Sequence, residues 1–157
     1  MRLLNNLPEV LHNKVRVRAC GILIIDNKIL LAAHKFSNRE LFWSPPGGGV
    51  EFGESLKKCI KREFKEETLL DINVGNYLGT SEYIAPPLHA IEIFFSVTAE
   101  DCKFYLGTDP EFEKNDQILI DLKLFSIEEL KALPFEQFHK CLHKINDFIE
   151  IFDRSLI

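Results

Sequence analysis

An amphipathic helix is predicted from about Glu54 to Thr68, shortly after the glycine run Gly47–Gly49. At about 100° per residue, Glu63 and Glu67 fall on its apolar face, and Glu66 falls at the rim of that face. The helix therefore points carboxylates towards the protein and not towards water. The opposite side of the helix carries its four lysines: Lys57, Lys58, Lys61 and Lys65.

A solvated helix with Glu–Lys pairs is the alternative interpretation. It fits poorly, because the carboxylates crowd the C-terminal turns, where the helix dipole and like charges each cost about 0.3–1 kcal/mol at an exposed site. Arg62 can offset one of the three charges. Three converging carboxylates suit a hard divalent cation, so the pattern predicts a site for Mg²⁺ or Mn²⁺.

The glycine run predicts a backbone that comes close to a ligand or a metal. It is not a phosphate-binding loop, because no Lys-Ser or Lys-Thr follows the glycines. It is not a dinucleotide fingerprint either, since the G-x-G-x-x-G spacing is absent. The glycine run is informative because the acidic helix follows it.

Composition narrows the class of protein. The chain has 157 residues, of which 46% are hydrophobic, and a formal net charge of −5. That size suits one domain, residues 1–157, with a core large enough to fold without disulfides. The acidic balance argues against a surface for duplex nucleic acid, whereas a small anionic ligand held through a metal remains compatible.

The cysteines and the apolar runs bear on the compartment. Cys20, Cys59, Cys102 and Cys141 are widely spaced and predict reduced thiols in a cytoplasmic protein. The apolar stretch Gly21–Ile25 is too short to span a bilayer, so no membrane association is expected.

The other segments predict strands around this helix. A hairpin is expected over Val15–Ala33, then a long loop over 35–53. Strands are expected at 72–84, 88–99 and 118–125, followed by a short helix with a capping box of Ser126 and Glu129. The apolar spacing after Pro134 favours an amphipathic C-terminal helix. Together these elements predict a layered α/β or α+β domain.

The spacing of the glycine loop and helix resembles the signature of the Nudix hydrolases, G-x5-E-x7-R-E-U-x-E-E-x-G-U, where U is a bulky apolar residue. Gly48, Glu54 and the run Arg62–Leu70 match it, and Leu69 alone departs, standing where the family has glycine. The resemblance extends to the hairpin, to Trp43–Pro46 and to Phe125–Leu130.

This resemblance implies an α/β/α sandwich with a mixed central sheet and metal-dependent hydrolysis of a nucleoside diphosphate linked to another moiety. The metals would be bound by the carboxylates of Glu63, Glu66 and Glu67 and by the carbonyl of Gly48. The remaining positions would support the loop and helix: Gly47, Gly49, Glu54 and Arg62.

Leu69 raises a specific expectation. A glycine there would end the helix in a left-handed conformation, which costs leucine about 1 kcal/mol or more. A different helix exit that shifts Glu66 or Glu67 is therefore expected, with activity retained because no ligand side chain is lost.

The general base is expected outside the signature, on an acidic loop. We favour Glu113, with Glu63 as the alternative base, and a merely solvated loop remains open. The acidic residues of that loop are Asp109, Glu111, Glu113 and Asp116.

For substrate binding, Phe42 and Tyr83 are the aromatic residues assigned to stack a base, and packing is the alternative role. Pro86 stands where the branch of the family that cleaves ADP-ribose tends to carry a proline. The expected substrate is therefore ADP-ribose or a similar nucleotide sugar. A (deoxy)nucleoside triphosphate pyrophosphatase and a nucleotide-binding regulatory module are the alternatives. The other aromatic candidates are Phe36, Phe104 and Tyr105.

His139 and His143 lie four residues apart on the expected last helix and predict a surface pair, because no third metal ligand is evident. Since dimers are common in the family, a homodimer is a possible assembly.

Overall fold

The hairpin is confirmed in the computed structural model, which describes residues 12–35, 41–110, 112–114 and 117–153. It consists of β1, Lys14–Ile25, and β2, Lys28–Lys35. The later elements are β3 Leu41–Ser44, β4 Gly47–Gly49, α1 Leu56–Thr68, β5 Ile72–Ala85, β6 Leu88–Ala99, β7 Leu119–Phe125, α2 Ile127–Lys131 and α3 Glu150–Asp153.

The seven strands form one mixed sheet, as expected. β6 runs parallel to β1, whereas every other paired strand is antiparallel to its neighbour. The central order is β3-β2-β1-β6-β5, with β4 added to β1 and β7 added to β2. The strand of three glycines therefore lies directly beside β1 and faces α1.

The sheet separates two apolar layers because alternate residues of a strand point to opposite faces. On β1, Ala19 and Leu23 pack with α1, whereas Cys20 and Ile22 pack with α2 and the C-terminal segment. This arrangement is the expected sandwich. In the described part of the chain, no helix is both long and apolar enough to cross a membrane.

The prediction of one long loop over 35–53 is wrong. Two short strands interrupt it, β3 against β2 and β4 against β1. Proline and glycine are poor strand formers, but the edges of β1 and β2 supply hydrogen-bonding partners that the local sequence does not reveal.

The predicted C-terminal helix is also wrong. The segment instead forms two short 3₁₀ turns, at Phe135–Gln137 and Lys140–Leu142, before α3. Its backbone is drawn to β3, because the His139 N–H donates to the Trp43 carbonyl at 2.9 Å. Lys144, at φ +59°, interrupts any helical continuation. Phe138, Leu142 and Ile145 are nonetheless buried, whereas Phe135 and Ile149 are exposed. The periodicity therefore predicted most of the core contacts of this segment but not its conformation.

Leu69 does not alter the end of α1. It adopts the left-handed conformation itself, at φ 60° and ψ 10°, and its N–H donates to the Lys65 carbonyl at 3.2 Å. The expectation of a different helix exit is therefore wrong. Leucine accepts the strained conformation that glycine would adopt freely.

Replacing Leu69 with glycine is expected to raise the free energy of unfolding by about 1 kcal/mol, because the strain disappears. Little packing is lost, since the Leu69 side chain is half exposed. Urea denaturation of both proteins measures the difference. Leu69→Ala is the matched control and should show no gain, because alanine keeps the Cβ; an equal gain in that variant would contradict the strain argument.

Candidate active site

Helix α1 places two carboxylates beneath the glycine strand. Glu63 and Glu67 are 6% and 3% exposed, as the helical periodicity predicts. The Gly47 N–H donates to Glu67 Oε2 at 3.1 Å. A Cβ at Gly48 would lie 2.3 Å from Glu63 Oε1, so only glycine permits this approach. The lysines of α1 are exposed on the other side.

Arg62 joins the loop to the helix. Its Nε and Nη2 donate to the two oxygens of Glu54 at 2.9 and 3.0 Å, and Nη2 also donates to the Gly49 carbonyl at 3.1 Å. Its Nη1 donates to Glu63 Oε1 at 2.7 Å and to Glu66 Oε2 at 3.3 Å. The hydrogen bond from Arg62 lowers the pKa of Glu54. The geometry matches the anchoring role that the resemblance implies for Glu54 and Arg62.

The carboxylates of α1 carry more negative charge than their surroundings stabilise. Burial and the charge of Glu67 raise the pKa of Glu63 to about 7, against the opposing effect of Arg62. Partial burial and the charges of Asp109 and Glu51 raise the pKa of Glu66, again against Arg62. A cation brought among these groups would relieve the repulsion.

The donor set suits a hard divalent cation, since it consists of carboxylate oxygens and the carbonyl of Gly48. Within the described residues, no three His, Cys, Asp or Glu side chains stand close enough to hold a metal as they are now arranged. Arg62 holds Glu63 and Glu66, whereas Glu67 is held by Gly47. The donor atoms are therefore chemically suited to a divalent metal. To bind it, Glu63 and Glu66 would give up their hydrogen bonds to Arg62.

Binding of Mg²⁺ to the metal-free protein is expected to release nearly one proton at about pH 6 and almost none at about pH 8.5. Below its raised pKa of about 7, Glu63 carries a proton that a cation must displace. Calorimetric titrations in two buffers of different ionisation enthalpy count the protons. Glu63→Gln should remove most of the pH-dependent release, the remainder coming from Glu66, whose pKa is also raised. A proton count that does not change with pH in the wild-type protein would contradict the assignment.

An extended segment seals the C-terminal end of α1. The N–H groups of Tyr105, Gly107 and Thr108 donate to the carbonyls of Thr68, Glu67 and Glu66 at 3.0, 2.8 and 2.9 Å. These bonds satisfy carbonyls that a helix end leaves without partners. The segment thereby ties the acidic loop that follows it to the helix that bears the carboxylates.

Gln117 closes this acidic loop. Its side-chain oxygen accepts the Asp109 N–H at 2.7 Å, and its nitrogen donates to the carbonyls of Asp109 and Phe112 at 2.8 and 2.7 Å. Asp109 lies close enough to α1 for its charge to raise the pKa of Glu66. Gln117 Nε2 also donates to the Glu113 carbonyl, at 3.4 Å, which places Glu113 in the same closed loop. The other two acidic candidates, Glu111 and Asp116, lie outside the described residues.

The aromatic candidates lie on both faces of the sheet. Phe42 is half-buried on β3, with its ring centroid 6.4 Å from that of His139, and Tyr83 is partly exposed on β5. Phe104 packs against the core beside α1, whereas Tyr105 is exposed. Phe36 lies outside the described residues.

The sequence interpretation missed a buried polar group on the α2 side of the sheet. Arg18 donates to Glu92 Oε1 at 3.4 Å, and His139 Nε2 lies 2.6 Å from Glu92 Oε2. The prediction of a surface pair of histidines is therefore wrong, because His139 is 6% exposed and His143 bonds to the Phe135 and Phe138 carbonyls. The sequence feature that could have indicated this buried group is Glu92, a single acidic residue between the apolar Ile91 and Ile93.

A family model and relatives of similar sequence show the family. The family model described as the NUDIX domain matches residues 15–144. The ADP-ribose pyrophosphatase of Methanocaldococcus jannaschii is 33% identical over 118 residues, which cover 74% of this chain and 64% of that protein. The NAD-capped RNA hydrolase NudC of Vibrio atlanticus is 37% identical over 73 residues, 45% of this chain and 27% of that protein.

The fold is shared with a solved structure. The MutT protein of Methanosarcina mazei Go1 superposes with a TM-score of 0.66 at 20% identity, covering 90% of this chain and 93% of that one. The aligned part of this chain thus spans about two-thirds of the first relative above and about a quarter of the second.

Proposed function

The chain belongs to the NUDIX domain family, and we propose that it is a divalent-metal-dependent pyrophosphohydrolase acting on a nucleoside diphosphate linked to another moiety. One observation carries the proposal: α1 buries Glu63 and Glu67 directly beneath the glycine strand. Burying two neighbouring carboxylates is costly, and a cation bound between them would offset that cost.

The ligands of the cation would be Glu63, Glu66, Glu67 and the carbonyl of Gly48. Bound there, Mg²⁺ or Mn²⁺ supplies charge for the diphosphate, polarisation of a phosphoryl oxygen and a lower pKa for the attacking water. Arg62 holds α1 to the loop through Glu54, so that these ligands stay in one place.

The general base stays a prediction. The sequence favours Glu113, whereas Asp109 is a residue of this loop whose charge raises the pKa of Glu66 on α1. Separate Asp109→Asn and Glu113→Gln variants, compared by kcat, decide between them.

ADP-ribose is the substrate we favour. The name of the relative from Methanocaldococcus jannaschii supports it, and so does Pro86 in the turn between β5 and β6. A helix exit distorted by Leu69 would have favoured the regulatory module, but Leu69 leaves the end of α1 intact. One domain over residues 1–157, a cytoplasmic location and a homodimer also stay predictions.

A hydrolysis screen tests the function. It compares ADP-ribose, other nucleotide sugars, dinucleoside polyphosphates and (deoxy)nucleoside triphosphates, each with Mg²⁺ and with Mn²⁺. We expect AMP and ribose 5-phosphate from ADP-ribose. Turnover confined to triphosphates would favour the alternative of a (deoxy)nucleoside triphosphate pyrophosphatase. Metal-dependent binding without hydrolysis would favour the regulatory module.

A further inference from the structure

The buried group of Arg18, Glu92 and His139 lies on the far side of the glycine strand from α1. The three residues come from β1, β6 and the C-terminal segment, and Arg18 pairs in register with both Glu92 and Gly49. Glu92 is 5% exposed and His139 is 6% exposed. Polar side chains this deeply buried require a specific set of partners.

The hydrogen bonds define the charge of this group. His139 Nδ1 accepts the Cys141 N–H at 3.1 Å, so the ring proton is on Nε2 and is donated to Glu92. Burial alone would raise the pKa of Glu92, but the hydrogen bond from His139, the electrostatic effect of that ring and then the charge of Arg18 hold it well below its usual range. Glu92 is therefore ionised, and the Arg18 guanidinium faces it.

Arg18 also reaches the candidate active site. Its Nη2 donates to the Gly47 carbonyl at 3.0 Å, and the N–H of the same glycine donates to Glu67. Arg18 and Glu67 thus hold the two polar groups of one residue, from opposite sides of the strand. Burial would lower the pKa of Arg18, but the charge of Glu92 raises it, and the charges of Glu67 and Glu63 add smaller contributions.

Arg18 differs from Arg62 in the N–H donors that remain available to a ligand. The Nε and Nη2 of Arg62 are bonded to Glu54 and to the Gly49 carbonyl, which hold the loop to the helix. Its Nη1 is bonded to Glu63 and Glu66 and would be released only if a metal takes those carboxylates. The Arg18 side chain is 25% exposed. Within the described residues its Nη1 and Nη2 donate to one acceptor each, so each keeps one N–H, whereas its Nε is unpaired but buried. Arginine is well suited to bind phosphate, because several donors lie in one plane.

We propose that Arg18 binds a non-bridging phosphate oxygen of the substrate, and that Glu92 and His139 are positioning residues that fix its guanidinium beside the glycine strand. This inference rests on the proposed function, because it assumes that a diphosphate lies over that strand. In an acidic protein, such a cation complements the metal in holding an anionic ligand.

The test measures ligand binding apart from turnover. Calorimetry with α,β-methylene ADP and Mg²⁺ gives the Kd of a diphosphate that is not hydrolysed, and titration with Mg²⁺ alone gives the metal affinity. Arg18→Gln is expected to raise this Kd, and the KM for ADP-ribose, about 10- to 100-fold. The metal affinity should stay within about 2-fold, and kcat should change less than KM.

Matched variants distinguish a direct role of Arg18 in phosphate binding from a role in holding the glycine strand in place. Arg16→Gln removes the same charge two residues earlier on the same face of β1 and should leave the Kd unchanged. Arg18→Lys should restore part of the affinity, since it keeps the charge but not the fork of donors. Glu92→Gln should weaken binding less than Arg18→Gln does. If Glu92→Gln does not fold, the comparison of Arg18→Lys with Arg18→Gln still tests the role of Arg18.

Two results would overturn the inference. The first is a normal Kd for the diphosphate in Arg18→Gln. The second is a loss of Mg²⁺ affinity as large as the loss of diphosphate affinity, since Arg18 would then act only by holding Gly47. If the wild-type protein binds the diphosphate without hydrolysing ADP-ribose, the proposed function fails, while the dependence of Kd on Arg18 still decides this inference.

Discussion

Replacing Glu67 with glutamine is expected to lower kcat at least about 100-fold while the protein stays folded. Loss of a residue that only orients a metal ligand costs about 10- to 100-fold, so loss of a direct ligand should cost at least as much. Glutamine has the same shape and keeps an oxygen that can accept the Gly47 N–H. The variant thus removes the charge and not the hydrogen bond.

Thermal unfolding separates this explanation from simple damage. Without metal, Glu67→Gln should be at least as stable as the wild-type protein, because a buried negative charge beside Glu63 disappears. The increase in Tm that Mg²⁺ gives the wild-type protein should be lost. Glu136→Gln, at an exposed position, is the control and should keep both activity and the metal-induced increase. Near-normal turnover in Glu67→Gln would contradict the assignment of the site.

The orientation of α1 could be predicted from the sequence because it depends on local order. The 13 residues of this helix decide by their own spacing which side chains face the sheet, and Glu63 and Glu67 follow the apolar positions. The capping box of Ser126 and Glu129 was equally local and is confirmed. In both places the interacting residues are only a few positions apart, so the pattern is complete within one segment.

Other features depend on partners that are distant in sequence. β4 is a strand because β1 pairs with it, although glycine itself disfavours strands. Arg18 and Glu92 are separated by 74 positions, and no spacing rule joins them. The C-terminal segment has the apolar periodicity of a helix, but the carbonyl of Trp43 on β3 competes for its backbone N–H groups. Tertiary hydrogen bonding overrides local preference in each of these places.

Gly48→Ala is expected to abolish most of the activity, although alanine adds only one methyl group. Its Cβ would lie 2.3 to 2.5 Å from the carboxylate atoms of Glu63, a separation that real Cβ atoms do not tolerate. The Glu63 carboxylate is the end of a flexible side chain, so the side chain must move while the backbone stays in place. We therefore expect a kcat loss of about 100-fold or more from displacement of one proposed ligand, with a stability loss of about 1–3 kcal/mol from overpacking.

A double-mutant cycle with Glu63→Ala identifies the cause of that stability loss. Once Glu63 is shortened, the alanine at position 48 has nothing to displace, so the double variant should be less destabilised than the sum of the two single variants. Urea denaturation of the four metal-free proteins supplies the free energies. Additive losses would mean that Gly48 is needed for its backbone conformation and not for the approach of Glu63. The explanation of why a metal-binding carboxylate and a glycine occur together would then fail, even if both residues are required for activity.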